Sequence, residues 1–131
     1  MPIQKPSNML AASFLALGLV ATCASAQVKR TPVLTADVAA PGHQAVVVRG
    51  EIDPGTSAAR HSHPGDEISY VLEGEAELLI DGEPPRLVKA GEAFVIPAGK
   101  VHGARNPGAV PLLFVGVYVV EKGKPLATPA K

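Results

Sequence analysis

Residues 55–74 read GTSAARHSHPGDEISYVLEG, and the rest of the chain is read outward from this stretch. His61 and His63 lie two apart, a spacing that puts both side chains on one face of a strand. Pro64-Gly65 then breaks the strand, so Glu67 opens a new segment that can turn back on the first. Imidazole suits iron, copper, nickel and zinc as a ligand. A carboxylate adds a harder oxygen donor, which suits iron and manganese.

The flanks read as short strands with turn punctuation. Ala45 to Arg49 is valine-rich, and Asp53-Pro54-Gly55 is a turn. Ile68 to Leu72 reads as a strand. Ala76, Leu78 and Ile80 alternate with Glu75, Glu77 and Leu79. Asp81-Gly82 is a hairpin signal, and Pro84-Pro85 limits the start of the next strand. Phe94 to Ile96 and Leu112 to Val120 complete the set. Thirteen glycines and thirteen prolines in 131 residues argue against long helices. The fold class expected is all-β, a sandwich or barrel, in a single domain over 45–122.

A second stretch, GEAFVIPAGKVHGARN over 91–106, brings a third histidine, His102. Together the two stretches resemble the cupin family. The first motif of that family is glycine, five residues, H-x-H, three or four residues, glutamate, six residues, glycine. Gly55, His61, His63, Glu67 and Gly74 fill every fixed position. The second motif is glycine, five residues, P-x-G, two residues, histidine, three residues, asparagine. Gly91, Pro97, Gly99, His102 and Asn106 fill it. The resemblance spans roughly Ala45 to Val120. It implies a jelly-roll barrel, in which His61, His63, Glu67 and His102 ligate one divalent transition metal: Fe, Mn, Ni, Cu or Zn. Four protein ligands leave two octahedral positions for water, dioxygen or substrate. Gly74, Gly91 and Gly99 are expected at turns of positive φ, and Asn106 in a structural role.

The N-terminus reads as a secretory signal peptide over 1–26. Lys5 gives a weak positive region, Leu10 to Ala21 is an uncharged apolar run, and Ala24-Ser25-Ala26 is a cleavage signal before Gln27. An uncleaved membrane anchor competes, although the run falls short of the ~20 residues a spanning helix needs. So does a lipoprotein acylated at Cys23, for which Thr22 is a poor neighbour. On the signal-peptide reading the protein is secreted or periplasmic and free of the membrane. It also loses Cys23, its one cysteine, so disulfides and thiolate chemistry are excluded. Residues 27–44 read as an extended arm and 123–131 as a loose, flexible tail.

Lys and Arg number twelve, as do Asp and Glu, so no basic face is implied and nucleic acid is excluded as a partner. His43 sits in a turn outside both motifs and reads as a solvated loop residue. Arg60 reads as a surface ion-pair partner and Tyr70 as packing, since strand parity turns both from the metal; Arg105 is left ambiguous. Phe94, Ile96, Leu113, Val115 and Val117 are core or pocket lining. Two functions follow from the resemblance. One is a metal-dependent enzyme, a dioxygenase-type oxidoreductase acting on a small organic molecule. The other is a metal and small-molecule binding module without turnover. No catalytic residue beyond the ligands is assigned. A homodimer follows by analogy with family members that pair through barrel edges.

Overall fold

The computed structural model describes residues 28–131. The expected signal peptide with its cleavage signal, and Cys23, lie outside the described residues. The elements are β1 (Lys29–Asp37), β2 (His43–Ile52), β3 (Ser57–Ser62), β4 (Gly65–Glu73), β5 (Glu75–Ile80), β6 (Arg86–Lys89), β7 (Ala93–Ile96), β8 (His102–Arg105), β9 (Leu112–Glu121) and β10 (Thr128–Pro129). They form two antiparallel five-stranded sheets, ordered β1-β2-β9-β4-β7 and β10-β3-β8-β5-β6. This is the all-β jelly roll that the motifs imply, and no helix occurs among the described residues.

Alternation decides which side chains face inward. On β4, Gly65, Glu67, Ser69 and Val71 are buried, while Asp66, Ile68, Tyr70 and Leu72 face out. The core contains Val71, Leu78, Ile96 and Leu112, each at most 1% exposed. Full burial of such a side chain contributes about 1.5–3 kcal/mol. On β9 the inward set is Leu112, Phe114, Gly116, Tyr118 and Val120. Leu113, Val115 and Val117, expected as core or lining, lie on the other face. An uninterrupted apolar strand has no polar residue to mark its outer face, so sequence leaves its parity open. Phe94 and Ile96 do point inward.

Both stretches outside the barrel reading contain strand. Residues 29–37 of the arm pair with β2 from Lys29↔Glu51 to Asp37↔Gln44, with a register shift between Pro32 and Leu34. Pro32 has no N–H to donate, and the sheet edge tolerates that. In the tail, Thr128 pairs with Ser62 and Pro129 with His61, and the Ala130 N–H donates to the Arg60 carbonyl at 3.0 Å. Leu126 packs on the Val48, Tyr118 and Val120 cluster. The tail is therefore docked, because an open strand edge and an apolar patch receive it.

Gly74, Gly91 and Gly99 all have positive φ. At Gly74 the demand is double, since a Cβ there would also stand 2.7 Å from the Pro111 carbonyl oxygen. Asn106 is fully buried. Its amide donates to the Ile52 and Val110 carbonyls at 3.0 and 2.8 Å and accepts from Gly108 N–H at 2.9 Å. It ties the end of β2 to the loop between β8 and β9.

Candidate metal centre

The four motif residues reach one point from both sheets. His61 lies on β3 directly opposite His102 on β8, and His63 follows just past the end of β3. Glu67 comes from β4 in the facing sheet, where it neighbours Tyr118 and Ile96. β4 opens at Gly65, where β9 passes so close that any Cβ would stand 1.9 Å from the Val119 carbonyl oxygen. The four donor atoms lie within 4.8 Å of one another. Glu67, His63 and His102 are buried, and His61 is half-buried.

The hydrogen bonds behind the cluster fix its protonation. His61 Nδ1 donates to the Ala59 carbonyl at 2.7 Å, His63 Nδ1 to Leu126 at 2.6 Å and His102 Nδ1 to Lys100 at 3.0 Å. A carbonyl only accepts, so each Nδ1 carries a proton and each neutral ring turns a bare Nε2 inward. There His61 Nε2 and His63 Nε2 stand 3.1 Å apart. Glu67 Oε2 is 3.0 Å from His63 Nε2 and 3.2 Å from His102 Nε2. Its other oxygen accepts from the Ser69 hydroxyl at 2.7 Å. Three ring lone pairs and a carboxylate oxygen thus face one another. Such a set is stable only around a cation or a shared proton, and it fits a divalent transition metal held by three nitrogens and one oxygen.

The charges follow the same logic. Burial pushes the Glu67 carboxyl up, but hydrogen bonds with His102, His63 and Ser69 outweigh it and hold it well below the usual range. Burial pulls His102 down, yet its contacts with Glu67 and the Lys100 carbonyl leave it above an ordinary histidine. His61 is lowered, chiefly by burial, with His102 and His63 adding to the effect.

Beside this cluster lies a narrow cavity that opens to solvent. Its walls are mostly apolar, with Phe94, Phe114, Val71 and Leu112 among them. Two polar side chains join the ligands there, and sequence reasoning missed both. Tyr118 is 2% exposed, and its ring centroid lies 4.7 Å from that of His63. Its phenol rests over Gly116, where a Cβ would approach the oxygen to 2.8 Å. Burial, then the charge of Glu67, pushes the phenol far up, so it keeps its proton. Arg30 reaches in from β1. The one available signal for Tyr118 was a hydroxyl-bearing aromatic in an otherwise apolar strand. Arg30 had none.

The remaining candidates lie outside the cluster. Arg60 pairs with Asp81, and Arg105 with Glu77 at 2.8 Å, both at the surface. Tyr70 is 48% exposed on the outer face. His43 Nδ1 donates to the Pro41 carbonyl at 2.9 Å.

Comparison with known proteins adds context to this geometry. The dimethylsulfoniopropionate lyase DddQ of Ruegeria pomeroyi is 44% identical over 46 residues, 35% of this chain and 23% of that protein. Nectarin-1 of Nicotiana langsdorffii x Nicotiana sanderae is 31% identical over 125 residues, 86% of this chain and 53% of its own length. The chain thus spans less than two thirds of these curated relatives. A solved structure from Klebsiella pneumoniae, a conserved protein with a double-stranded β-helix domain, superposes with a TM-score of 0.66. It is 30% identical and covers 80% of this chain and 85% of its own. Residues 48–121 match the family model described as a cupin domain, and the chain belongs to the cupin family.

Proposed function

We propose that the protein is an exported, metal-dependent cupin enzyme that acts on a small organic molecule by dioxygenase-type chemistry. One observation carries the metal: His61 Nε2 and His63 Nε2 face each other at 3.1 Å while both Nδ1 protons are given to carbonyls. His61, His63, Glu67 and His102 would hold the ion. When bound, a redox-active ion supplies a Lewis acid and an electron path between substrate and dioxygen.

The chain's own residues supply the rest. The apolar wall around Phe94 and Phe114 excludes water and takes the hydrocarbon part of the substrate. Tyr118 holds a proton at its phenol oxygen and presents a neutral donor to the cavity. Ser69 occupies the second oxygen of Glu67, which keeps the first turned towards the histidines. Export rests on the apolar run and the Ala24-Ser25-Ala26 signal. Exported protein should begin at Gln27, and a start at Met1 or an acylated Cys23 would refute that part.

The likeness to a lyase favours a second reading, elimination from a small substrate without oxygen. The same test separates these two and the non-catalytic binding module. Protein loaded separately with iron(II), manganese, nickel and copper is offered flavonols, thiols, small diketones and dimethylsulfoniopropionate. Oxygen uptake matched to product supports the dioxygenase. Product formed anaerobically supports the lyase. If no loaded form changes any compound, while ligands still raise the melting temperature, the binding module stands.

A further inference from the structure

Arg30 is the one cation among the residues that line the cavity. It sits on β1 opposite Gly50, with Glu51 and Arg49 as the cross-strand partners of its neighbours Lys29 and Thr31. Those neighbours project the other way: Lys29, Thr31, Arg49 and Glu51 share a hollow on the outer side, where Lys29 Nζ stands 3.6 Å from Glu51. Parity thus gives the outward lysine an anion and turns the arginine inward without one. Among the described residues no carboxylate lies within ion-pairing distance of Arg30. Glu67, the cavity's one anion, is already committed, with one oxygen on His63 and His102 and the other on Ser69. Gly50 carries no side chain, and the Phe114 ring fills its place, since a Cβ there would be 2.1 Å from the ring. Arg30 thus lines the cavity together with Phe114, Tyr118 and the ligands His61, Glu67 and His102.

We infer that Arg30 is a specificity residue that binds the carboxylate of a small substrate whose other donor faces the His61, His63, Glu67 and His102 cluster. A guanidinium presents a planar fork of N–H donors that matches a carboxylate in two parallel hydrogen bonds, and a nearby apolar wall strengthens them. The preferred class is a short acid with a carboxylate at one end, a metal-binding heteroatom at the other and an apolar spacer between them. The amide or alkyl analogue leaves Arg30 without a counter-charge and binds less well. This inference rests on the metal reading of the site and adds the substrate class to it.

The test uses the mature chain loaded with cobalt(II) under anaerobic conditions. The probes are 3-mercaptopropionate, its amide and propanethiol, and the thiolate-to-cobalt absorption band reports the metal end of each. The acid should bind roughly tenfold to a hundredfold tighter than the amide, the range of a hydrogen bond to a charged group. Arg30→Met should bring the acid down to the affinity of the amide and leave cobalt content and the amide band unchanged. Arg30→Lys should keep part of the preference. Because β1 is an exposed edge strand, the substitutions leave the core untouched. Equal affinity for acid and amide in the wild type overturns the inference, as does a preference that survives Arg30→Met. Failure of the chain to bind cobalt overturns the metal reading and this inference together. Bound cobalt with probes that do not discriminate overturns this inference alone.

Discussion

Ending the chain after Lys124 should weaken metal binding, although residues 125–131 supply no ligand. The link is the hydrogen bond from His63 Nδ1 to the Leu126 carbonyl, 2.6 Å long and spanning 63 positions of sequence. That bond fixes the His63 tautomer and aims Nε2 at Glu67 and His61. Without it the ring can flip, or place its proton on the nitrogen that must bind. Loss of such a partner typically weakens metal affinity 10–100-fold, which is about 1.4–2.7 kcal/mol. The truncation also removes the pairing of Thr128 with Ser62 and Pro129 with His61, so β3 loses its outer neighbour.

The assay is a competitive titration against a chelator of known affinity, on full-length and shortened chains, with melting curves of both metal-free forms. Leu126→Ala is the control, because it keeps the carbonyl and removes only side-chain packing on the Val48, Tyr118 and Val120 cluster. It should melt earlier yet bind metal within about threefold of wild type, a difference of roughly 0.7 kcal/mol. The truncation should lose at least tenfold. A shortened chain that binds metal as tightly as the full one refutes the tautomer argument. Equal losses in both variants would trace the effect to packing instead.

Four further outcomes follow from the same geometry. Alanine at His61, His63 or His102 should leave well below one metal per chain by elemental analysis, with a smaller loss for Glu67→Gln. Chelation should cost about 2.7 kcal/mol of stability at metal a hundredfold above Kd, a fall of roughly 10–20 °C in melting temperature for a domain of this size. Metal affinity should drop as pH falls through the histidine range, because His102 is raised and holds its proton to higher pH than a free imidazole, so metal must displace it; proton release on loading, measured in weak buffer, checks this. Phe114→Ala should widen the cavity and cost about 3–5 kcal/mol, whereas Val115→Phe, on the outer face, should leave ligand binding unchanged in a thermal-shift panel.

The part of the site that was legible in sequence is the part whose chemistry resides in side chains at fixed spacing. His61, His63, Glu67 and His102 could be picked out because few residue types serve as ligands, and because turns such as Pro64-Gly65 announce how the chain must fold between them. β4 was legible as a run of strand-forming residues, Ile68 to Leu72, and β5 because Glu75 and Glu77 alternate with its buried residues. β1 and β10 were not, because the Pro32 region and the GKPLATPAK tail have weak strand propensity of their own. They become strands by pairing with edges that β2 and β3 leave open.

What escaped the sequence shares a physical cause. The Leu126 carbonyl is a main-chain atom, and every residue has one, so no residue type signals its role. The inward face of β9 depends on register against β2 and β4, and an apolar run satisfies either parity until those partners are in place. Arg30 depends on the same register one strand further out: a slip of one residue would turn Lys29 into the cavity and Arg30 into the ion pair with Glu51. The ligand set is thus written locally, but the chemistry of the cavity around it is decided by pairings between distant strands. That is why the metal cluster can be read from its motifs, while substrate preference has to be sought in the neighbours of Gly50 and Gly116.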